Sequence, residues 1–300
     1  DDEFSSLKTV TALVPGAFKP PHRGHAEMVR KYLNTHNADR VVVLVSAPAK
    51  SSRPIPGVRD EGLSTEDALA VWDLLLGSDP QVDVVASPHA TPVSAAYALV
   101  DKPNVRAGTA EQAGVDPIQA GDRVILGASK KGGDWKRWAG ADKYVSNDLE
   151  LLDPEKTAVD TDVKHEGRYM QMLASAPWSS KMPSVRDSDK DPRDFHAGDM
   201  RFLLEKAEGD ELARAMLGDF VGEDKVQALL SIFGISGGLE EISAMAGGSV
   251  AGASGPWQQM DVGRENNQEK ARSKLVRREN LDLSTVDEVI RLIMEKGIMR

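Results

Sequence analysis

Residues 9–14 read Thr-Val-Thr-Ala-Leu-Val and are followed, after Pro15, by Gly16-Ala17-Phe18-Lys19-Pro20-Pro21-His22-Arg23-Gly24-His25. The first six are β-branched or apolar, the composition of a buried strand. The next ten form a turn that leads into 24–34, where apolar residues recur at helical spacing. A strand that ends in a glycine-bearing turn and feeds a helix is the opening of a βαβ unit. In a sheet built from such units the ligand crevice lies beyond the carboxyl ends of the strands. A helix start there offers free N–H groups and the positive end of its dipole to an anion. Gly16 and Gly24 let the backbone approach a phosphate. His22 and His25, three apart at the mouth of the helix, can turn both rings into one crevice and donate hydrogen bonds to phosphoryl oxygens. Lys19 and Arg23 add positive charge. Taken singly, each histidine is explained as well by an ordinary turn.

The same alternation continues outward from this stretch. Strands are expected over Thr9–Val14, Arg40–Val45, Gln81–Ala86 and Arg123–Leu126, with helices over Gly24–Asn34, Ser64–Leu76 and Pro92–Val100. Ser64 with Asp67 forms a capping box at the start of the second helix. Right-handed crossovers stack such units into an α/β, Rossmann-like doubly wound parallel sheet. After Leu152 the periodicity weakens, and Pro177–Asp194 is expected to be a long mobile loop. Met200–Leu217 and Lys225–Phe233 then read as two amphipathic helices. The main domain is expected to span 1–236. Residues 237–300 read as a flexible linker, richest in small residues at Gly247–Gly255, and a C-terminal helical tail over Ser284–Lys296. In that tail Val286, Val289, Ile290 and Ile293 share a face that needs a partner surface on this chain or another.

Composition narrows the function. Among 300 residues, 37 Lys and Arg stand against 47 Asp and Glu, a net charge of −10. That balance argues against a surface built to wrap nucleic acid, so any anion must be held by a local basic pocket. The absence of cysteine removes disulfides, thiolate metal sites and cysteine nucleophiles. Metal ligands would be histidine or carboxylate. No stretch approaches the roughly 18 apolar residues of a membrane span, and Asp1–Leu7 lacks the pattern of a secretory leader, so a cytoplasmic protein without membrane contact is expected.

Read together, residues 16–25 match Gly-x-Phe-x-Pro-x-His-x-Gly-His at every fixed position. The chain thereby resembles the nucleotidyltransferases that include nicotinamide mononucleotide adenylyltransferase and the cytidylyltransferases. The resemblance implies that AMP or CMP passes from a nucleoside triphosphate, bound with Mg2+, to a phosphate-bearing small molecule, with pyrophosphate leaving. It implies His22 and His25 at the α-phosphate, backbone contacts from Gly16, Ala17, Phe18 and Gly24, and Arg201 with Lys130 or Lys131 at the outer phosphates. That family carries a second signature, Ile-Ser-Ser/Ala-Thr-x-x-Arg, whose best counterpart is Phe195–Arg201. Ala197 and Arg201 match; His196 and Gly198 stand where hydroxyl residues are expected, and Asp199 is expected in the phosphate-facing turn.

A third region, Ile125–Trp138, supplies Gly127, Ser129, Lys130, Lys131, Asp134, Arg137 and two indoles, a composition suited to a nucleobase and its phosphates. A basic surface turn with its tryptophans in the core explains it nearly as well. Ser46, Lys50, Ser52 and Arg53 follow the second strand, where the acceptor lies in this family. Ser87–Pro92, with His89 and Thr91, ends the third strand and is a further candidate for the crevice wall. The arrangement as a whole looks like nucleotidyltransferase-like proteins of tailed bacteriophages. The rival expectation is a catalytically impaired nucleotide-binding or structural part of a phage particle, assembling through its tail helix with other subunits or its own copies.

Overall fold

The computed structural model describes residues 8–47, 53–161 and 163–235. Its first half runs β1 (Val10–Gly16), α1 (Arg23–Asn34), β2 (Arg40–Val45), α2 (Thr65–Leu76), β3 (Val82–Ala86), α3 (Pro92–Val100), α4 (Pro103–Ala113) and β4 (Arg123–Leu126). After a 3-10 turn at Lys131–Trp138 come β5 (Glu150–Leu151), α5 (Pro154–Thr157), α6 (Gly167–Ser175), α7 (Pro183–Arg186), α8 (Ala197–Lys206), α9 (Glu211–Val221) and α10 (Val226–Ile232). The strands pair in the order β3-β2-β1-β4-β5, and every pairing is parallel. This is an α/β fold of the Rossmann-like, doubly wound type.

Alternation along the strands builds two cores. Ala12 and Val14 of β1 face a layer with Val29, Tyr32, Trp72, Leu203 and Phe220 from α1, α2, α8 and α9. Leu13, Val42, Leu44, Val124 and Leu126 face the other layer, with Ala95, Leu99 and Ala110 from α3 and α4. Helices on both faces are the reason the inner strands are apolar at nearly every position. Caps mark the helix starts where sequence reading placed them. Ser64 Oγ accepts from Asp67 N at 2.9 Å while Asp67 Oδ2 accepts from Ser64 N at 3.2 Å. Thr91 caps α3, with Pro92 in its first turn.

Several elements differ from the sequence-based expectation. The single helix expected over Met200–Leu217 is two, α8 and α9, because Asp210 starts a new helix by accepting from Ala213 N at 3.0 Å. The loop expected over Pro177–Asp194 is anchored: Trp178 and Met182 are buried, and a 3-10 turn at Ser179–Lys181 precedes α7. Trp178 Nε1 donates to Asp210 Oδ2 at 2.5 Å, tying this segment to the start of α9. Helices α4 and α6 and the two-residue strand β5 were not expected. Little apolar patterning marks α4, which is secured by Arg106, buried and bidentate on Asp148 at 3.2 and 2.8 Å. The linker at Gly247–Gly255 and the tail helix at Ser284–Lys296 lie outside the described residues. Among the described residues no helix is long and apolar enough to cross a membrane.

Candidate functional site

Strand β1 sits between β2 and β4, and the chain's winding reverses there, so a crevice opens at the carboxyl end of β1. The turn that follows is shaped by Phe18, whose φ of 46° folds its ring back over the strand end. A Cβ on Gly16 would lie 2.5 Å from that ring. Phe18 in turn packs edge-on against Trp72 at 5.2 Å and His25 at 5.0 Å. Packing alone therefore requires both Gly16 and Phe18, whatever they do for a ligand. Gly24 is also confined, since a Cβ there would stand 3.2 Å from His22 Nδ1.

His22 occupies the cap position of α1 with an extended backbone, and His25 is in the first turn. Their rings stack at 3.8 Å, and the His22 N–H donates to His25 Nδ1 at 3.3 Å. Neutral His25 therefore carries its proton on Nε2. Phe195 covers the other face of His22 at 5.8 Å. Burial pushes His25 down to about 4. His22 is held well below the ordinary histidine range by burial, and then by the charges of His25, His165, His196 and Lys131.

This arrangement makes stability depend on pH. The folded rings are neutral at pH 7, while in the unfolded chain they protonate near pH 6.5, so the unfolded state binds more protons in between. Stability is complete above about pH 6.5 and falls toward pH 4, by about 3 kcal/mol from His25 alone. Urea unfolding at several pH values, with His25→Asn in parallel, reads this directly. A wild-type slope no steeper than the variant's would contradict the assignment.

The crevice has two lobes, of about 290 and 350 Å3. His22, His25, Met28, Ser129, Asp134 and Phe195 line both. The first lobe extends to Gly24, Lys131, Thr161 and Asp194. The second extends to Gly16, Ala17, Phe18, Lys19, Arg53, Arg137 and Ala197. The turn after β4 is fixed to β1 by Arg137, which donates to the carbonyls of Gly127 at 2.9 Å and Pro15 at 3.3 Å. Asp134 pairs with Arg137 at 3.2 Å and accepts from Ser129 N at 3.4 Å.

Arg201 reaches back from α8 to donate from Nη1 to the Lys19 carbonyl at 2.7 Å. Its acidic neighbour does not face a phosphate site, contrary to expectation. Asp199 is fully buried and accepts from Ser184 N at 2.9 Å, because α7 packs over the start of α8.

Other expected residues do not line either lobe. Gly127 is a packing residue, and a Cβ there would be 2.8 Å from the Leu13 carbonyl. The charge of Lys130 is felt at His36, just beyond the far end of α1. Trp138 is buried against Tyr97, and with Trp135 it lines a different cavity, so the indoles are not crevice walls. Thr91 serves as a helix cap, and His89 lines a separate groove beside Tyr97 and Tyr144. Ser46 is buried at the end of β2. Lys50 and Ser52 lie outside the described residues.

Sequence reading missed His165. It is buried, paired through Nδ1 with Asp219 Oδ2, stacked on Tyr169 at 3.7 Å and set against Phe195 at 4.1 Å. No local spacing joins residues 54 apart on different elements, so nothing in the sequence marked the pair. Among the described residues no three side chains of metal-binding type converge. Comparison with known proteins gives no match, either to a protein-family profile or to a curated sequence.

Proposed function

We propose that the protein is a nucleotide-binding enzyme of the α/β class that holds triphosphates at the start of α1. More particularly, it is a nucleotidyltransferase that moves AMP or CMP from a nucleoside triphosphate to a phosphate-bearing small molecule. The observation that carries this reading is the stacked pair His22–His25 at the helix mouth, lining both lobes of one crevice. Two lobes joined at a pair of N–H donors suit a reaction with two phosphorylated substrates. The acceptor phosphate is already a nucleophile. It attacks the α-phosphorus in line while the bond to pyrophosphate breaks, so catalysis is positioning plus neutralisation of charge.

With its proton on Nε2, neutral His25 donates to the α-phosphate without adding a full charge. His22 supports it by stacking and by its own donor, and the backbone of Gly16 to Phe18 and Gly24 lines the approach. Lys131 and Arg201 serve the outer phosphates. Asp134, the carboxylate common to both lobes, is the side chain that would hold a Mg2+ brought in by the triphosphate. Such an ion would supply neutralisation of phosphate charge.

A second reading, a catalytically impaired or structural relative, draws on one observation. Lys131 already has an anion, Asp194, 2.5 Å from its ammonium. Calorimetric titration of ATP and CTP, each with Mg2+, into the full chain separates the two readings. Micromolar binding of one nucleotide, lost in the His22→Ala, His25→Ala double variant, is the expected result. No binding to the folded wild-type chain would overturn the enzyme reading in favour of the second.

A further inference from the structure

A carboxylate stands inside the first lobe, on the one lysine that lines it. Asp194 Oδ2 lies 2.5 Å from the Lys131 ammonium, and both residues belong to the lobe wall. The same carboxylate has a second cation within reach, since its Oδ1 lies 3.7 Å from Lys164 Nζ. Lys164 lines neither lobe, and it also pairs with Asp191 at 3.3 Å. The backbone beneath Asp194 is pinned. Lys164 and Asp194 form an antiparallel bridge, His165 N donates to the Arg193 carbonyl at 2.7 Å, and Asp194 N donates to the Asp191 carbonyl at 3.0 Å. The carboxylate can therefore change partner by turning about its own side-chain bonds, with the chain left in place. Its hold on Lys131 is weak: that side chain is 55% exposed, and a solvated lysine–carboxylate pair contributes little.

We propose that Asp194 is an autoinhibitory side chain, whose carboxylate occupies the anion position on Lys131 and is displaced onto Lys164 by an incoming polyphosphate. The polyphosphate wins the exchange because it brings several negative charges to an ammonium that the carboxylate meets with one. The displaced carboxylate keeps a cation beside it, so no charge is stranded. The exchange is a property of the lobe. Only the identity of the anion, the phosphate chain of a nucleoside triphosphate, rests on the nucleotidyltransferase reading.

Tripolyphosphate is the probe, titrated calorimetrically into the full chain without nucleotide or Mg2+. Asp194→Asn keeps the shape of the side chain, removes its charge and should tighten binding about threefold or more. A residue that only braced the wall would give the opposite sign when changed. Asp191→Asn removes a charge from the same turn but from neither lobe, and should alter affinity less than about twofold. Lys164→Gln takes away the cation to which the carboxylate moves. It should weaken binding about twofold or more in the wild-type chain and far less in the Asp194→Asn chain. If Asp194→Asn fails to fold, Lys164→Gln, at a half-exposed position, carries the test.

Tripolyphosphate affinity that Asp194→Asn leaves unchanged or lowers, a gain equalled by Asp191→Asn, a wild-type affinity indifferent to Lys164→Gln, or no binding to any of these chains would overturn the proposal. Tightening by Asp194→Asn in a protein that takes up neither ATP nor CTP would sink the transferase reading and leave the autoinhibitory contact standing. Nucleotide binding by the wild-type chain, with tripolyphosphate affinity indifferent to Asp194→Asn, would do the reverse.

Discussion

Replacing Trp72 with alanine should cost about 4 kcal/mol of stability and should also loosen the crevice. The indole is wholly buried on α2. It packs edge-on against Phe18 at 5.2 Å and lies 6.3 Å from the ring of His25, so it backs the turn from behind. Removing it leaves a cavity directly beneath two residues of the motif, and Phe18 can then leave its place over Gly16. Denaturant unfolding should show the loss, and nucleotide titration of the surviving folded protein should show weaker binding. Trp72→Phe is the informative companion. The indole N–H has no hydrogen-bond partner, so phenylalanine keeps the packing without leaving a donor unsatisfied. It should lose less than half as much. A cost below about 1 kcal/mol for the alanine variant would show that the turn does not lean on Trp72.

Gly127→Ala is expected to be nearly as damaging, at about 3 kcal/mol, although it adds a single methyl group. Gly127 N donates to the Leu13 carbonyl at 2.7 Å, and the added Cβ would stand 2.8 Å from that same oxygen. Val14 and Tyr32 crowd it from other sides. The methyl can be seated only by parting β1 from β4 at the crevice. The Gly127 carbonyl also accepts from Arg137 and Trp138, so the turn that carries Ser129 and Asp134 would shift with it. Amide hydrogen exchange should quicken along 10–16 and 123–129 before it does in α3. Exchange and midpoint both unchanged would mean that the backbone yields here at little cost.

Reading from sequence succeeded where local chemistry decides structure. Alternating β-branched runs gave four strands to within two residues at each end, and Ser64 with Asp67 marked its helix by hydrogen bonds that need no distant partner. The crevice histidines were legible because a strand, a turn and a helix start place them within ten residues. What escaped depends on contacts between distant segments. Helix α4 is held by Arg106 on Asp148, β5 by pairing with β4, and the 177–194 segment by Trp178 on Asp210. Gly127 looked like a phosphate-loop glycine because sequence cannot say whether a ligand or another strand comes close. Lys130 and Lys131 are adjacent and alike in type, yet only Lys131 lines the crevice.

The strand order also constrains how the protein is made. Strands β1, β2 and β3 lie consecutively between Val10 and Ala86 and can pair as soon as they leave the ribosome. One side of β1 must wait for Arg123–Leu126, so a strand that ends up buried keeps an open edge during synthesis. That interval is when a nascent chain is most exposed to mispairing with its neighbours on a polysome. Rare codons between 87 and 122 should therefore lower soluble yield more than the same codons placed after 126.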